Sequence, residues 1–227
     1  MSRFATLCQS SIGAKLAMAV TGILLFVFVV AHLLGNLLVF AGREATNAYA
    51  HGLREMGGLL WAARVGLVAV FLVHVASALR LWRLNRAARP EPYAVVSPVA
   101  SSYAGRTIVM TGLLVLLYVV YHLLHFTLGV TNPEFLKLVD PKGRPDVYLM
   151  VVRGFSNVAI SAVYLAAMVL LGLHLSHGVT SLFQTLGISH PSYDPLIKRL
   201  GPVSAILIFA GYASIPVAVV AGLLKAP

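Results

Sequence analysis

Five long runs without a charged residue divide this chain of 227 residues: 16–42, 65–79, 107–133, 154–193 and 200–224. About 20 apolar residues cross a hydrocarbon core of about 30 Å. With Arg64 at the interface, the second run reaches back to about residue 59. Spans are therefore expected near 16–41, 59–82, 107–130, 157–182 and 200–224. Gly57-Gly58, the prolines at 90–92, 141–145 and 191–195 mark breaks between them. The stretch 146–155 reads as a short interfacial helix before the fourth span. Charged residues make up 11% of the chain, against about 25% in a soluble domain. That supply cannot build a water-facing surface. It excludes a soluble globular protein, a disordered chain and a coiled coil. The expected fold is all-α, an integral membrane bundle of five transmembrane helices in a single domain, 1–227.

The charges give the orientation. The loop after the second span holds Arg80, Arg83, Arg86, Arg89 and Arg106 against Glu91. Lys198 and Arg199 follow the fourth span, and Arg3 and Lys15 precede the first. Positive loops stay inside, so the N-terminus is expected to be cytoplasmic and the C-terminus outside. The loops after spans 1 and 3 mix signs. The net charge of +10 is thus a topology signal, with no nucleic-acid partner implied. The inner arginines can also face a protein partner or anionic lipid. Cys8 is the single cysteine, so no intrachain disulfide forms. No cleavable signal peptide is evident: the first apolar run is too long for one.

Histidines outnumber acids, 8 to 7. Six fall inside or at the ends of spans: His32, His74, His122, His125, His174 and His177. His51 and His190 lie in loops. Ionisable residues inside a membrane face the bundle interior and mark function, although any one histidine can simply bond a neighbouring carbonyl. One in each of four consecutive spans is a pattern.

An internal repeat sorts the six. Thr21-Gly22 followed by His32-Leu33-Leu34 returns as Thr111-Gly112 followed by His122-Leu123-Leu124, 90 residues on. Nine of the eighteen positions from 21 to 38 are identical to those 90 later. This selects His122 over His125 as the partner of His32. A weaker match joins His74-Val75-Ala76-Ser77-Ala78-Leu79 to His177-Gly178-Val179-Thr180-Ser181-Leu182, selecting His177 over His174. At 1.5 Å per residue, His32 and His122 lie roughly 22–24 Å along helices that start inside. His74 and His177 come late in helices that start outside. Two pairs result, one above the other.

Haem held by two imidazoles fits such pairs, since helix bundles build cofactor sites from facing side chains and haem iron takes axial imidazoles. Zinc wants more ligands. Gly22, Gly35, Gly112, Gly172, Gly178 and Ala31 make room for a flat macrocycle, or for close helix packing. Ser11, Lys15 and Arg80 inside, with Arg43 and Arg64 outside, are candidates for haem propionates, or plain interfacial anchors.

The residues now resemble a known family. The stretches are Ser10-Ser11-Ile12-Gly13-Ala14-Lys15, Ala31-His32-Leu33-Leu34-Gly35-Asn36-Leu37, Asn47-Ala48-Tyr49, Leu60-Trp61-Ala62-Ala63-Arg64, Asp146-Val147-Tyr148, Phe155-Ser156-Asn157, His174-Leu175-Ser176-His177-Gly178 and Phe183-Gln184-Thr185-Leu186-Gly187. In this order they resemble the cytochrome b membrane-anchor subunit of succinate dehydrogenase or fumarate reductase, of the single five-helix, two-haem type. The resemblance covers nearly the whole chain. It implies two haem b groups, a distal one on His32 and His122 and a proximal one on His74 and His177. It implies a flavoprotein partner with covalent FAD and an iron–sulfur partner, both on the cytoplasmic face of a prokaryotic inner membrane. It implies a membrane quinone, commonly menaquinone, as the electron acceptor or donor. Glu44, Asn47, Tyr49 and His51 are quinone-site candidates beside the distal haem, with Glu44 as a proton carrier, unless they form a solvated loop. An inner quinone site near Ser10, Ser11 and Lys15 is the other placement. The dicarboxylate chemistry would belong to a partner. The rival readings are a di-haem cytochrome b of another oxidoreductase and a histidine-relay proton transporter without haem.

Overall fold

The computed structural model describes residues 10–88, 102–188 and 190–227. Arg3, Cys8, Arg89 and Glu91 lie outside the described residues. Seven helices carry the fold. They are α1, Ser11–Leu37; α2, Arg43–Glu55; α3, Gly58–Ala87; α4, Ile108–His122; α5, Val147–Phe155; α6, Val158–Thr185; and α7, Asp194–Val220. A 3-10 turn, Leu38–Ala41, extends α1, and a π-helical turn, Leu123–Thr127, extends α4. Among the described residues there is no strand, only an isolated bridge between Val139 and Pro145. Five helices, α1, α3, α4, α6 and α7, are long and apolar enough to cross a membrane. The chain is an all-α, multi-pass membrane protein.

The ends of the helices follow local chemistry that hydropathy does not see. Helix α1 begins five residues before its apolar run because the Ser10 hydroxyl accepts a hydrogen bond from Gly13 N at 2.9 Å. Helix α6 begins where Asn157 caps Ala159 N at 2.9 Å. Helix α7 starts at Asp194, not 200: Pro195 is preorganised for a first turn, and charged Lys198 and Arg199 continue the helix beyond the apolar run. It ends at Val220, with Gly222 left-handed at φ 71° just after. The regular third span is shorter than expected and stops at His122.

Helix α2 corrects the expectation of a loop. Its buried face is made by Thr46 and Asn47, not by apolar residues, so periodicity of hydrophobic residues could not reveal it. The short helix expected at 146–155 is present as α5, capped by the Asp146 carboxylate, which accepts from Leu149 N at 3.1 Å.

Helix α7 packs most extensively on α6 and also touches α1, while α1 pairs with α3 and α4 with α6. The fifth span therefore packs within the bundle. One face of it is buried along its length, through Ile197, Gly201, Ala205, Ile208, Ala213 and Ile215. By contrast, Leu81 is the one buried residue of α3. At the end of the bundle that carries α2 and α5, a core of Val39, Tyr148, Val151, Val152, Phe155, Tyr164, Ile215 and Val219 closes the fold.

Candidate paired-histidine sites

The four long helices α1, α3, α4 and α6 bring histidines together in two pairs. His32 on α1 faces His122 on α4, with ring centres 6.0 Å apart and planes at 80°. His74 on α3 faces His174 on α6, with ring centres 6.5 Å apart and planes at 72°. The first pair is the one that the repeat selects. The second differs from the sequence expectation, which chose His177. His177 lies one turn further along α6, against Gly105 of the single turn Tyr103–Arg106, where a Cβ would stand 3.0 Å from its Nδ1.

The Thr-Gly steps of the repeat explain the pairing. Gly22 lies against His74, its missing Cβ 3.5 Å from the ring, and Gly112 lies against His174, at 3.2 Å. Thr21 Oγ1 lies 3.2 Å from the Met18 carbonyl, and Thr111 Oγ1 3.1 Å from the Ile108 carbonyl, again 90 residues apart. Each Thr-Gly step is thus a seat for an imidazole of the next membrane helix. The seats equate His74 with His174, a spacing that the weaker sequence match missed by three residues. Residues three apart share a helix face, so alignment of α3 with α6 alone could not separate the two.

The pairs are stacked. Gly22 marks the level of the His74 pair on α1, and His32 lies ten residues on; Gly112 and His122 repeat this on α4. Ten residues of helix rise about 15 Å, half of a hydrocarbon core. Of the other small residues expected beside the pairs, Gly35 lies under the Tyr49 ring and Gly172 near the Ala205 carbonyl.

Two imidazoles suit one metal between them. A ring nitrogen lies about 2 Å from the metal it binds, so a shared ion holds two ring centres about 6 Å apart. Both pairs have that spacing before any ligand is considered. Among the described residues no group of three or more His, Cys, Asp or Glu is placed to hold a metal. The donor set is two imidazoles per level, the number an axial haem pair uses. The hydrogen bonding leaves nitrogens for that role. Thr21 Oγ1 is 3.2 Å from His74 Nδ1; because Thr21 donates to the Ala17 carbonyl at 2.7 Å, it accepts from His74, whose Nε2 keeps its lone pair. His125, which the repeat sets aside, is fully buried and bonds the Tyr164 hydroxyl through Nδ1 at 2.9 Å.

The remaining candidates fall elsewhere. Ser11 and Lys15 are exposed in the first turns of α1. Arg80 stands six residues beyond His74, about 9 Å further along α3. Arg64 lies over the Trp61 ring at 5.2 Å. Arg43 is committed to Asp146, its Nε donating at 2.9 Å.

Glu44 and Asn47 belong with Arg43 to an ion cluster that fastens α2 to the 138–148 segment. Glu44 accepts from Lys142 at 2.7 Å and from Arg144 at 2.7 Å. Arg144 also binds Asp140. Asn47, with no exposed surface, donates to Asp146 at 2.8 Å and Asp140 at 3.3 Å and accepts from Tyr148 N at 3.0 Å. Hydrogen bonds from Arg144 and Lys142 pull the Glu44 carboxyl down to about 2. It is an anion at neutral pH, held by Lys142 and Arg144. Tyr49 covers Gly35, and His51 pairs with Glu55 at 3.2 Å. The four quinone-site candidates therefore do not converge on one pocket.

This cluster has a pH signature. Burial pushes the Asp140 and Asp146 carboxyls up, but bonds from Arg144 to the first and from Arg43 and Asn47 to the second outweigh it, leaving both below the usual range. Lowered folded values mean that the contribution is complete above the unfolded carboxylate pKa of about 4 and is lost as pH falls through the folded values. Hydrogen exchange in 138–149, corrected for intrinsic rates, is expected to be flat from pH 6 to about 4 and to rise progressively as pH falls below that. Opening near pH 5 would contradict the assignment.

Comparison with family models, with curated proteins and with solved structures gives no match to this chain.

Proposed function

We propose that the chain is the membrane-anchor, di-haem cytochrome b subunit of a succinate:quinone oxidoreductase, carrying electrons between an iron–sulfur partner and a membrane quinone. The observation that carries this reading is the two stacked imidazole pairs, each at the spacing of a shared metal. The ordered family stretches supply the rest. His74 and His174 hold the proximal haem and His32 and His122 the distal one. Haem iron, when bound, passes one electron at a time. The chain's own work is to bind, orient and enclose.

The row Arg80, Arg83 and Arg86 at the far end of α3 marks the cytoplasmic side, where the flavoprotein with FAD and the iron–sulfur protein dock. The N-terminus lies on that side and the C-terminus outside, in the cytoplasmic membrane of a prokaryote. Succinate gives fumarate, two electrons and two protons on the flavoprotein. Quinone, with menaquinone the expected species, takes two electrons and two protons near the distal pair. Seats of glycine and threonine on α1 and α4 fix the imidazoles of α3 and α6, and that is how one repeated step serves two helix pairs.

The experiment is purification of the tagged chain in mild detergent from its own host. The expected preparation contains a flavoprotein and an iron–sulfur protein, and succinate reduces its b-type bands. A b-type protein with other partners, unreduced by succinate, would place it in another oxidoreductase. A colourless protein would support the proton-relay alternative.

A further inference from the structure

The geometry points to Tyr164 as the positioning residue of the outer pair, holding His122 through a hydrogen-bond chain that ends on His125; this rests on the reading of His32 and His122 as haem ligands. Tyr164 is 4% exposed in the second turn of α6. Its hydroxyl is 2.9 Å from His125 Nδ1 and 3.5 Å from His122 Nδ1. A buried tyrosine hydroxyl needs a partner, and here two imidazoles face it. His125 Nε2 is buried without a partner.

With His122 as a metal ligand, these contacts allow one direction of donation. With His122 Nε2 given to a metal, its Nδ1 carries the proton and donates to Tyr164 Oη. Tyr164 then passes its own proton toward His125 Nδ1 as donor. His125 must hold its hydrogen on Nε2, the atom left without a partner. The other polar atoms of this hydrogen-bond relay each have a partner. The π-helical turn Leu123–Thr127 makes this possible: it carries His125 on the stretch directly after His122, and Phe126, Phe155, Tyr118 and Tyr121 pack around Tyr164. Single π turns often sit at functional sites. An acceptor on the outer nitrogen of a metal-bound imidazole raises its basicity and fixes its plane.

The inner pair has its own device in Thr21 on His74, which makes the test selective. The measurement is a redox titration of the two haem components, with low-temperature EPR, on the whole complex. Tyr164→Phe is expected to raise the midpoint of one component, because its ligand loses an acceptor, and to leave the other unchanged. Thr21→Val is expected to shift the other component instead. If Tyr164→Phe fails to retain the outer haem, His125→Leu is the readout: it should shift the same component, with His125→Gln restoring it. Two haems with unchanged midpoints in Tyr164→Phe, or in His125→Leu where the first variant loses haem, would overturn the inference. Absence of haem from the unaltered protein would instead overturn the functional reading on which it rests.

Discussion

His174→Ala is expected to remove one of two haems, and His177→Ala to leave both. The two histidines are one helical turn apart and only three residues in sequence, yet their surroundings differ in kind. His174 stands 6.5 Å, centre to centre, from His74 and rests on Gly112. His177 rests on Gly105, in the turn before α4. A two-ligand site that loses one imidazole loses half of its coordination. The expected effect is therefore near-complete loss of the haem expected between His74 and His174, read as half the haem per chain and one missing redox component. His74→Ala should give the same loss. At the other pair, His32→Ala or His122→Ala should remove the other component, while His125→Ala keeps both haems. Loss of a haem in His177→Ala with retention in His174→Ala would restore the pairing that the short sequence match preferred.

The second large effect concerns the fold. Gly201 on α7 is pressed against α6 so closely that an added Cβ would collide with the Ser176 carbonyl and the Thr180 hydroxyl. One obstacle is helix backbone, which cannot rotate away as a side chain does. Relief requires α7 to move off α6, at the helix pair with the most extensive packing in the molecule. Overpacking of this kind costs about 1–3 kcal/mol, and more where the obstacle is rigid. Gly201→Ala is thus expected to destabilise by about 3 kcal/mol or more, seen as a lower unfolding temperature and a loss of monodisperse protein in detergent. Gly178 is the internal control. It is also helical, but a Cβ there meets nothing within 4 Å. Gly178→Ala should be neutral or stabilising by about 1 kcal/mol through helix propensity. Equal effects of the two substitutions would show that α7 does not dock as described.

Much of the bundle was legible because the bilayer imposes a simple rule: length and apolarity decide which segments span. The five long helices fall where the uncharged runs lie. The ends are less legible, because Ser10, Asn157 and Pro195 act through single caps or backbone geometry that hydropathy averages away. Helix α2 was missed for a different reason. Its buried face consists of Thr46 and Asn47; Asn47 is tied to Asp140 and Asp146, partners nearly a hundred residues distant, and no local pattern announces such a bond.

The sites divide in the same way. The Thr-Gly repeat made the pairing of His32 with His122 readable, since both carry the same register from the same step. What the repeat left unread was the purpose of the step itself, which seats His74 and His174. As contact points, Thr21-Gly22 and Thr111-Gly112 lead to His74 and His174. Glu44 and Arg43 looked available because they stand in a polar stretch, but ion pairing across to Asp146, Lys142 and Arg144 is a tertiary fact. Tyr164 gave no signal beyond being a tyrosine in an apolar run.

The central claim is that this chain holds two haems, one between each imidazole pair. The most direct measurement is the haem content of the purified protein per chain, taken with its reduced-minus-oxidised spectrum. The account predicts two haem b per chain, with b-type bands that titrate as two components. A protein with no b-type bands, or with a single haem in a preparation saturated with haem, would contradict it.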